Sequence, residues 1–209
     1  TISSTDQSGS PNRFATVNYK SGYLSWSDAA TWECGVIPPN DGSAEIIVNA
    51  YQGPYNNNNC LIFDQNINVS SVEITENANL SPGISGDKTL TIQNDFTIQS
   101  NGSVRNINWI QNGTNTIQIG GDFLNNGFMS TDGANNSYNL VIEMNGSIPQ
   151  LISGTGSFRM IGSGNGTSSF KINSGADVTL DATFRTNDDN GIPGNVIIDG
   201  TLRFSDESD

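Results

Sequence analysis

One phrase constrains this chain more than any other feature. An apolar–x–Ile unit, a small polar corner and a further apolar residue return at intervals of about 25 residues. The copies read SVEITENANL (71–80), TLTIQNDFTI (89–98), TIQIGGDFLN (116–125), NLVIEMNGSI (139–148), SFKINSGADVTL (169–180) and NVIIDGTLRF (195–204). The first apolar slot holds Val72, Leu90, Ile117, Leu140, Phe170 and Val196; the second holds Ile74, Ile92, Ile119, Ile142, Ile172 and Ile198. Residues 86–96 and 113–123 align without a gap, GDKTLTIQNDF over GTNTIQIGGDF. Past the corner a further stack is expected, of Leu80, Phe96, Phe123, Ile148, Val178 and Leu202.

Apolar and polar residues alternate with period two in each copy, the pattern of strands with one buried face. A unit this short cannot bury its apolar face alone, so successive units stack. Like residues then lie roughly 4.8 Å apart, and the interior becomes columns of Ile, Val, Leu and Phe. The fold expected is all-β, a right-handed parallel β-helix (β-solenoid) with an N-terminal cap. Residues 1–43 read as lead-in and cap, and 44–209 as the solenoid. The 23 glycines and the many asparagines suit its corners. Asn-Gly pairs at 101, 112, 126, 145, 165 and 190 would by themselves suggest antiparallel hairpins, which makes a short-stranded β-sandwich the rival fold. Sustained helical periodicity is not found.

Composition narrows the partners. The formal net charge is −13 with only eight Lys and Arg, none of them clustered, so no basic track exists to neutralise nucleic-acid phosphates. An anionic membrane surface would repel the chain for the same reason, and no apolar run is long enough for a transmembrane helix. The low hydrophobic fraction, 34%, fits a thin solenoid whose strands are half wet. The chain opens at Thr1 rather than Met and is read as a mature or trimmed secreted protein. In an oxidising setting Cys34 and Cys60 are expected to form a disulfide, the alternative being two buried free thiols.

The segment SGYLSWSDAATWECGVIPPNDGSAEIIVNA (21–50) carries two tryptophans, a Gly and a Pro-Pro ahead of a short strand. This opening resembles that of secreted β-solenoid modules on Bacteroidetes-type surface proteins, and is similar to the start of the extracellular eight-glycine domain family. SSVEITENANL (70–80), QLISGTGSF (150–158) and SFKINSGADVTL (169–180) follow in the order such modules show. The resemblance covers most of residues 24–204 and rests on structural motifs. It implies a surface-exposed, adhesin-like or stalk-like module within a longer chain. Two cysteines, and the lack of a recognisable C-terminal sorting domain, depart from that pattern. Trp26, Trp32, Pro38 and Pro39 are expected to lie over the first turn. The chain breaks off at RFSDESD just after a strand, which reads as a fragment that continues in the native protein.

Chemistry is scarce. Histidine is absent, so no Ser–His–Asp or Cys–His arrangement exists. Asp95 and Asp122 occupy the same place in adjacent copies, and Asp177 the same place two copies on. Carboxylates about 5 Å apart suit retaining glycoside hydrolysis; the plainer reading is that they close corners by bonding backbone N–H groups. For calcium, the oxygen-rich stretches are Asn187-Asp188-Asp189-Asn190-Gly191 and Asp132-Gly133 with Asn135 and Asn136, neither in EF-hand spacing. Trp109, Tyr138, Tyr51 and Tyr55 are candidate platforms for sugar rings. Ice binding would need a regular outward array of Thr, and charges interrupt it. The reading is therefore a non-enzymatic, secreted or cell-surface adhesin or stalk module with extracellular polysaccharide or another surface protein as candidate partner. The alternative is a carbohydrate-active β-helix enzyme using paired Asp.

Overall fold

The computed structural model describes residues 12–20, 22–52, 60–82, 86–105, 113–130, 138–159, 161–162, 168–182, 192–193 and 195–205. Its strands in chain order open with β1 (Arg13–Ala15), β2 (Tyr23–Ser25), β3 (Glu45–Val48) and β4 (Cys60–Phe63). Four complete turns of three strands follow. They are β5 (Ile67–Val69), β6 (Ser71–Ile74) and β7 (Asn79–Pro82); then β8 (Lys88–Ile92), β9 (Phe96–Ile98) and β10 (Ser103–Val104). Next come β11 (Gly113–Ile119), β12 (Phe123–Asn125) and β13 (Phe128–Ser130), then β14 (Tyr138–Met144), β15 (Gln150–Gly154) and β16 (Ser157–Arg159). The described part closes with β17 (Ile161–Gly162), β18 (Ser169–Ile172), β19 (Asp177–Ala182), β20 (Ile192–Pro193), β21 (Asn195–Ile198) and β22 (Thr201–Phe204).

Three parallel sheets form the walls of a β-solenoid. The first wall runs β5-β8-β11-β14-β18-β21, the second β1-β3-β6-β9-β12-β15-β19-β22, and the third β2-β4-β7-β10-β13-β16. Every pairing within the walls is parallel, which excludes the sandwich; the short pair β17–β20 is antiparallel. Ile92 and Ile119 are register partners on parallel strands, both with no exposed surface, so the central expectation of stacked turns holds.

The columns differ in detail from the expected ones. On the first wall they are Ile67, Leu90, Ile117, Ile142, Phe170, Val196 and Val69, Ile92, Ile119, Met144, Ile172, Ile198. Val72 and Ile74 belong to the second wall, where they sit beside Phe96 and Ile98. The fourth copy is shifted by two residues, so that Ile142 and Met144 take the places expected for Leu140 and Ile142. Leu80 lies on the third wall, and Ile148 is 66% exposed in the connection before β15. Gln150 and Ile152 face the column instead, with Gln150 beside Val178.

The interior is continuous from Val17, Trp26 and Trp32 to Val178. Each buried Ile, Leu or Phe contributes about 1.5–3 kcal/mol relative to exposure, so the columns supply most of the driving force. Phe96 and Phe123 stack with centroids 5.4 Å apart. Trp26 and Trp32 meet edge to face at 5.0 Å, and Trp32 Nε1 donates to the Trp26 carbonyl. Two inward polar residues are fully engaged. Gln150 accepts from Gly146 N–H at 2.8 Å and donates to the carbonyls of Ile119 and Gly121 at 2.9 and 2.5 Å. Asn125 accepts from Gly127 N–H and donates to the Ser157 carbonyl.

Candidate functional site

The outward side chains are the candidates for chemistry, and the aspartates come first. Asp95 and Asp122 do lie on adjacent turns, at the corner where the first wall passes to the second. Asp95 Oδ1 accepts the N–H of Asp122 at 2.9 Å, and Asp122 Oδ1 accepts the N–H of Leu151 at 2.7 Å. Each carboxylate thus fastens its own turn to the next. Asp177 is not their counterpart, because Leu151 pairs with Thr179 and places Asp177 two positions off that column. Arg203 holds Asp177 through two bonds of 2.8 and 2.9 Å. Hydrogen bonding from Arg203 draws the Asp177 carboxyl below the usual carboxylate range, against desolvation and with the aid of the Arg203 charge.

The first wall carries a polar ladder on its outer face. Thr91 Oγ1 donates to Gln118 Oε1 at 3.0 Å, Gln118 Nε2 donates to Glu143 Oε2 at 2.9 Å, and Lys171 Nζ lies 3.9 Å from Glu143 Oε1. One rung step separates each pair, so the side chains link as the backbones do. The column contains a single Thr between Asn68 and Gln118 and forms no Thr array.

The expected disulfide is absent, since Cys34 and Cys60 are both free. Cys60 starts β4, where ladder bonds to the neighbouring strands hold it, and its side chain is completely buried. Cys34 sits exposed after a 3₁₀ turn, with Sγ directed to the Val36 carbonyl at 3.5 Å. Burial pushes the Cys60 thiol far above its ordinary value, while the Arg105 charge and a hydrogen bond with Ser81 act the other way.

Of the sugar-platform candidates, Tyr51 is half-buried and Tyr138 opens β14; Trp109 and Tyr55 lie outside the described residues. Both calcium stretches lie outside them as well. Among the described residues no group of three or more Cys, Asp and Glu is arranged to hold a metal ion.

Two cations that no sequence motif singles out stand at the corner joining the third wall to the first wall of the next turn. Lys88 opens β8 and Arg105 follows β10. Arg13, Lys171 and Arg203 each face a carboxylate, Glu73, Glu143 and Asp177 respectively. Lys88 and Arg105 have none within ion-pair reach among the described residues. Arg105 Nε is buried without a hydrogen-bond partner, and so are both amide atoms of Asn115 on β11. No motif marks Lys88 or Arg105; the sequence shows only that cations are few, eight in all.

Comparison with models of known protein families, with curated proteins and with solved structures finds no match.

Proposed function

We propose that this chain is a non-enzymatic, secreted or cell-surface module that serves as an adhesin or stalk segment, with extracellular glycans as its ligands. The observation that carries this reading is the use of Asp95 and Asp122. Where a paired-carboxylate enzyme would keep an acid and a base free to face substrate, each of these groups takes a backbone N–H of the following turn. The outward ladder Thr91–Gln118–Glu143–Lys171 points the same way, since it ties successive turns of one wall together. A rod of stacked turns transmits load along its axis and presents long, regular faces, as stalks and adhesins require. The resemblance of the Trp–Trp–Gly–Pro opening to surface modules agrees.

The test is incubation with a polysaccharide panel, reading both retention and new reducing or unsaturated ends. Retention without product formation supports the module. Product release that disappears in Asp122→Asn would establish the enzyme instead.

A further inference from the structure

Three Asn-Gly pairs lie among the described residues, and none of them closes the hairpin that the pair suggests by itself. Asn101-Gly102 stands between β9 and β10, Asn126-Gly127 between β12 and β13, and Asn145-Gly146 between β14 and β15. The other three pairs lie outside the described residues. Stacking requires each glycine, because a Cβ on Gly102, Gly127 or Gly146 would run into a backbone carbonyl of the preceding turn.

An Asn-Gly pair is chemically vulnerable. The glycine nitrogen, unhindered by a side chain, can attack the asparagine Cγ. An amide nitrogen is a poor nucleophile while its lone pair is delocalised, so the N–H must first lose its proton. The N–Cγ bond then forms, the Cγ–Nδ2 bond breaks, and the amide nitrogen takes up the proton and leaves as ammonia. Water opens the resulting cyclic imide to aspartate or to isoaspartate. In isoaspartate the chain runs through the former side chain and is one backbone atom longer.

In this fold all three glycine N–H groups are engaged. Gly102 N–H donates to the Gln99 carbonyl at 2.9 Å, Gly127 N–H to Asn125 Oδ1 at 3.1 Å, and Gly146 N–H to Gln150 Oε1 at 2.8 Å. A bonded N–H keeps its proton and its orientation until the bond opens locally. The three bonds differ in what secures them. The acceptor for Gly102 is backbone. Asn125 is anchored by donating to the Ser157 carbonyl of the following turn. Gln150 is clamped by the carbonyls of Ile119 and Gly121 in the preceding turn. Asn145 itself is exposed, so water reaches it, and its protection depends on the one side chain of Gln150.

We propose that Asn145-Gly146 is a self-modification site, an asparagine poised for deamidation, which Gln150 holds shut in the native fold. Asn101 and Asn126 are shut by bonds that do not involve Gln150. Isoaspartate at position 145 would lengthen the chain where Gly146 is wedged against Gly120, and so would work against the seating of β15 on β12. None of this depends on what the module binds.

The experiment incubates the whole chain, folded or in urea, at mildly alkaline pH. Each site is followed by peptide mass spectrometry with enzymatic labelling of isoaspartate. In the folded wild type Asn101, Asn126 and Asn145 are expected to convert about tenfold or more slowly than in urea, the factor that one engaged N–H supplies. In Gln150→Ala, shown to be folded by circular dichroism, Asn145 should convert about tenfold faster than in the wild type, with Asn101 and Asn126 unchanged. Those two sites are internal controls, because global unfolding speeds all three. If Gln150→Ala fails to fold, amide exchange in the wild type, read by NMR, decides, and the Gly146 N–H should be protected. Asn145 converting as fast in the folded wild type as in urea overturns the proposal. So does a folded Gln150→Ala in which Asn145 is no faster, or in which all three sites speed up together, and so does an unprotected Gly146 N–H.

Discussion

Replacing Gly127 by Ala tests the close stacking of turns at a single atom. Gly127 lies in the connection from β12 to β13, directly over Gly102 of the preceding turn. A Cβ built there would fall 2.2 Å from the Gly102 carbonyl oxygen, 2.6 Å from that of Gln99 and 2.7 Å from Ile98 Cγ2. Two of these are backbone atoms that the turn below holds in place, so the new methyl must push the turns apart. The bonds at stake are Phe128 N–H to the Gly102 carbonyl, 2.9 Å, and Asn126 N–H to the Ile98 carbonyl, 2.8 Å. Overpacking costs about 1–3 kcal/mol and each of the two weakened bonds about 0.5–1.5, so a loss of about 2–6 kcal/mol is expected. Gly35 supplies the contrast. Its φ is +69° and nothing lies within 4 Å of the place an added methyl would take, so Gly35→Ala meets only backbone strain. That strain is about 1–2 kcal/mol. Urea denaturation followed by circular dichroism measures both variants. A Gly127→Ala loss no larger than that of Gly35→Ala would refute the stacking argument.

Further consequences follow from other residues. Gln150→Ala leaves the Gly146 N–H and the Gly121 carbonyl without partners, takes one of two donors from the Ile119 carbonyl, which keeps the Asn145 N–H, and should cost about 2–4 kcal/mol by urea denaturation. Asn115→Leu removes two unpartnered amide atoms from a column it shares with Leu140 and should raise stability by about 1–2 kcal/mol; a clear loss would mean that the amide is satisfied. In the native protein a thiol reagent such as DTNB should modify Cys34 and leave Cys60 untouched until denaturant is added, and prior reduction should not raise the count. The Asp177 pKa is depressed from 3.8 by Arg203, so its stabilising effect is present above the unfolded value and fades as pH falls through the folded one. The difference in urea midpoint between wild type and Asp177→Asn should therefore be present at pH 7 and close in strong acid.

The architecture is legible in the sequence because stacking repeats one chemical demand at each turn. TLTIQNDF over TIQIGGDF places Ile92 on Ile119, as the ladder does. The departures have physical causes. Alternation with period two fixes which face a residue takes but not where along the strand it sits, so a slip of two residues goes unseen. The long β14 offers Leu140, Ile142 and Met144 as equally apolar inward choices, and the ladder selects the last two for the columns. The same degeneracy misplaces Asp177. SVEI and INV are both short apolar alternations, so nothing local tells the second wall from the first, and Val72 reads as a member of the wrong one. The disulfide fails for a different reason: cysteine count and compartment say nothing about geometry, and Cys60 is held inside a ladder while Cys34 is on an exposed loop. Arg105 is invisible in the sequence because its distinction is the lack of a partner, which emerges only when the walls bring its neighbours together.

The most direct test of the stacked architecture is a ruler along the outer face of the second wall. Ile47, Glu73, Thr97, Leu124, Ser153 and Asp181 occupy one column, a residue from each successive turn. With Cys34 replaced by Ser, spin labels are placed at Asp181 and, in turn, at Thr97, Glu73 and Ile47, and their separations are measured by pulsed EPR. The backbone separations expected are about 14, 19 and 24 Å, one strand spacing added per turn. Equal increments of that size would support the solenoid; separations that fail to grow with each turn would contradict it.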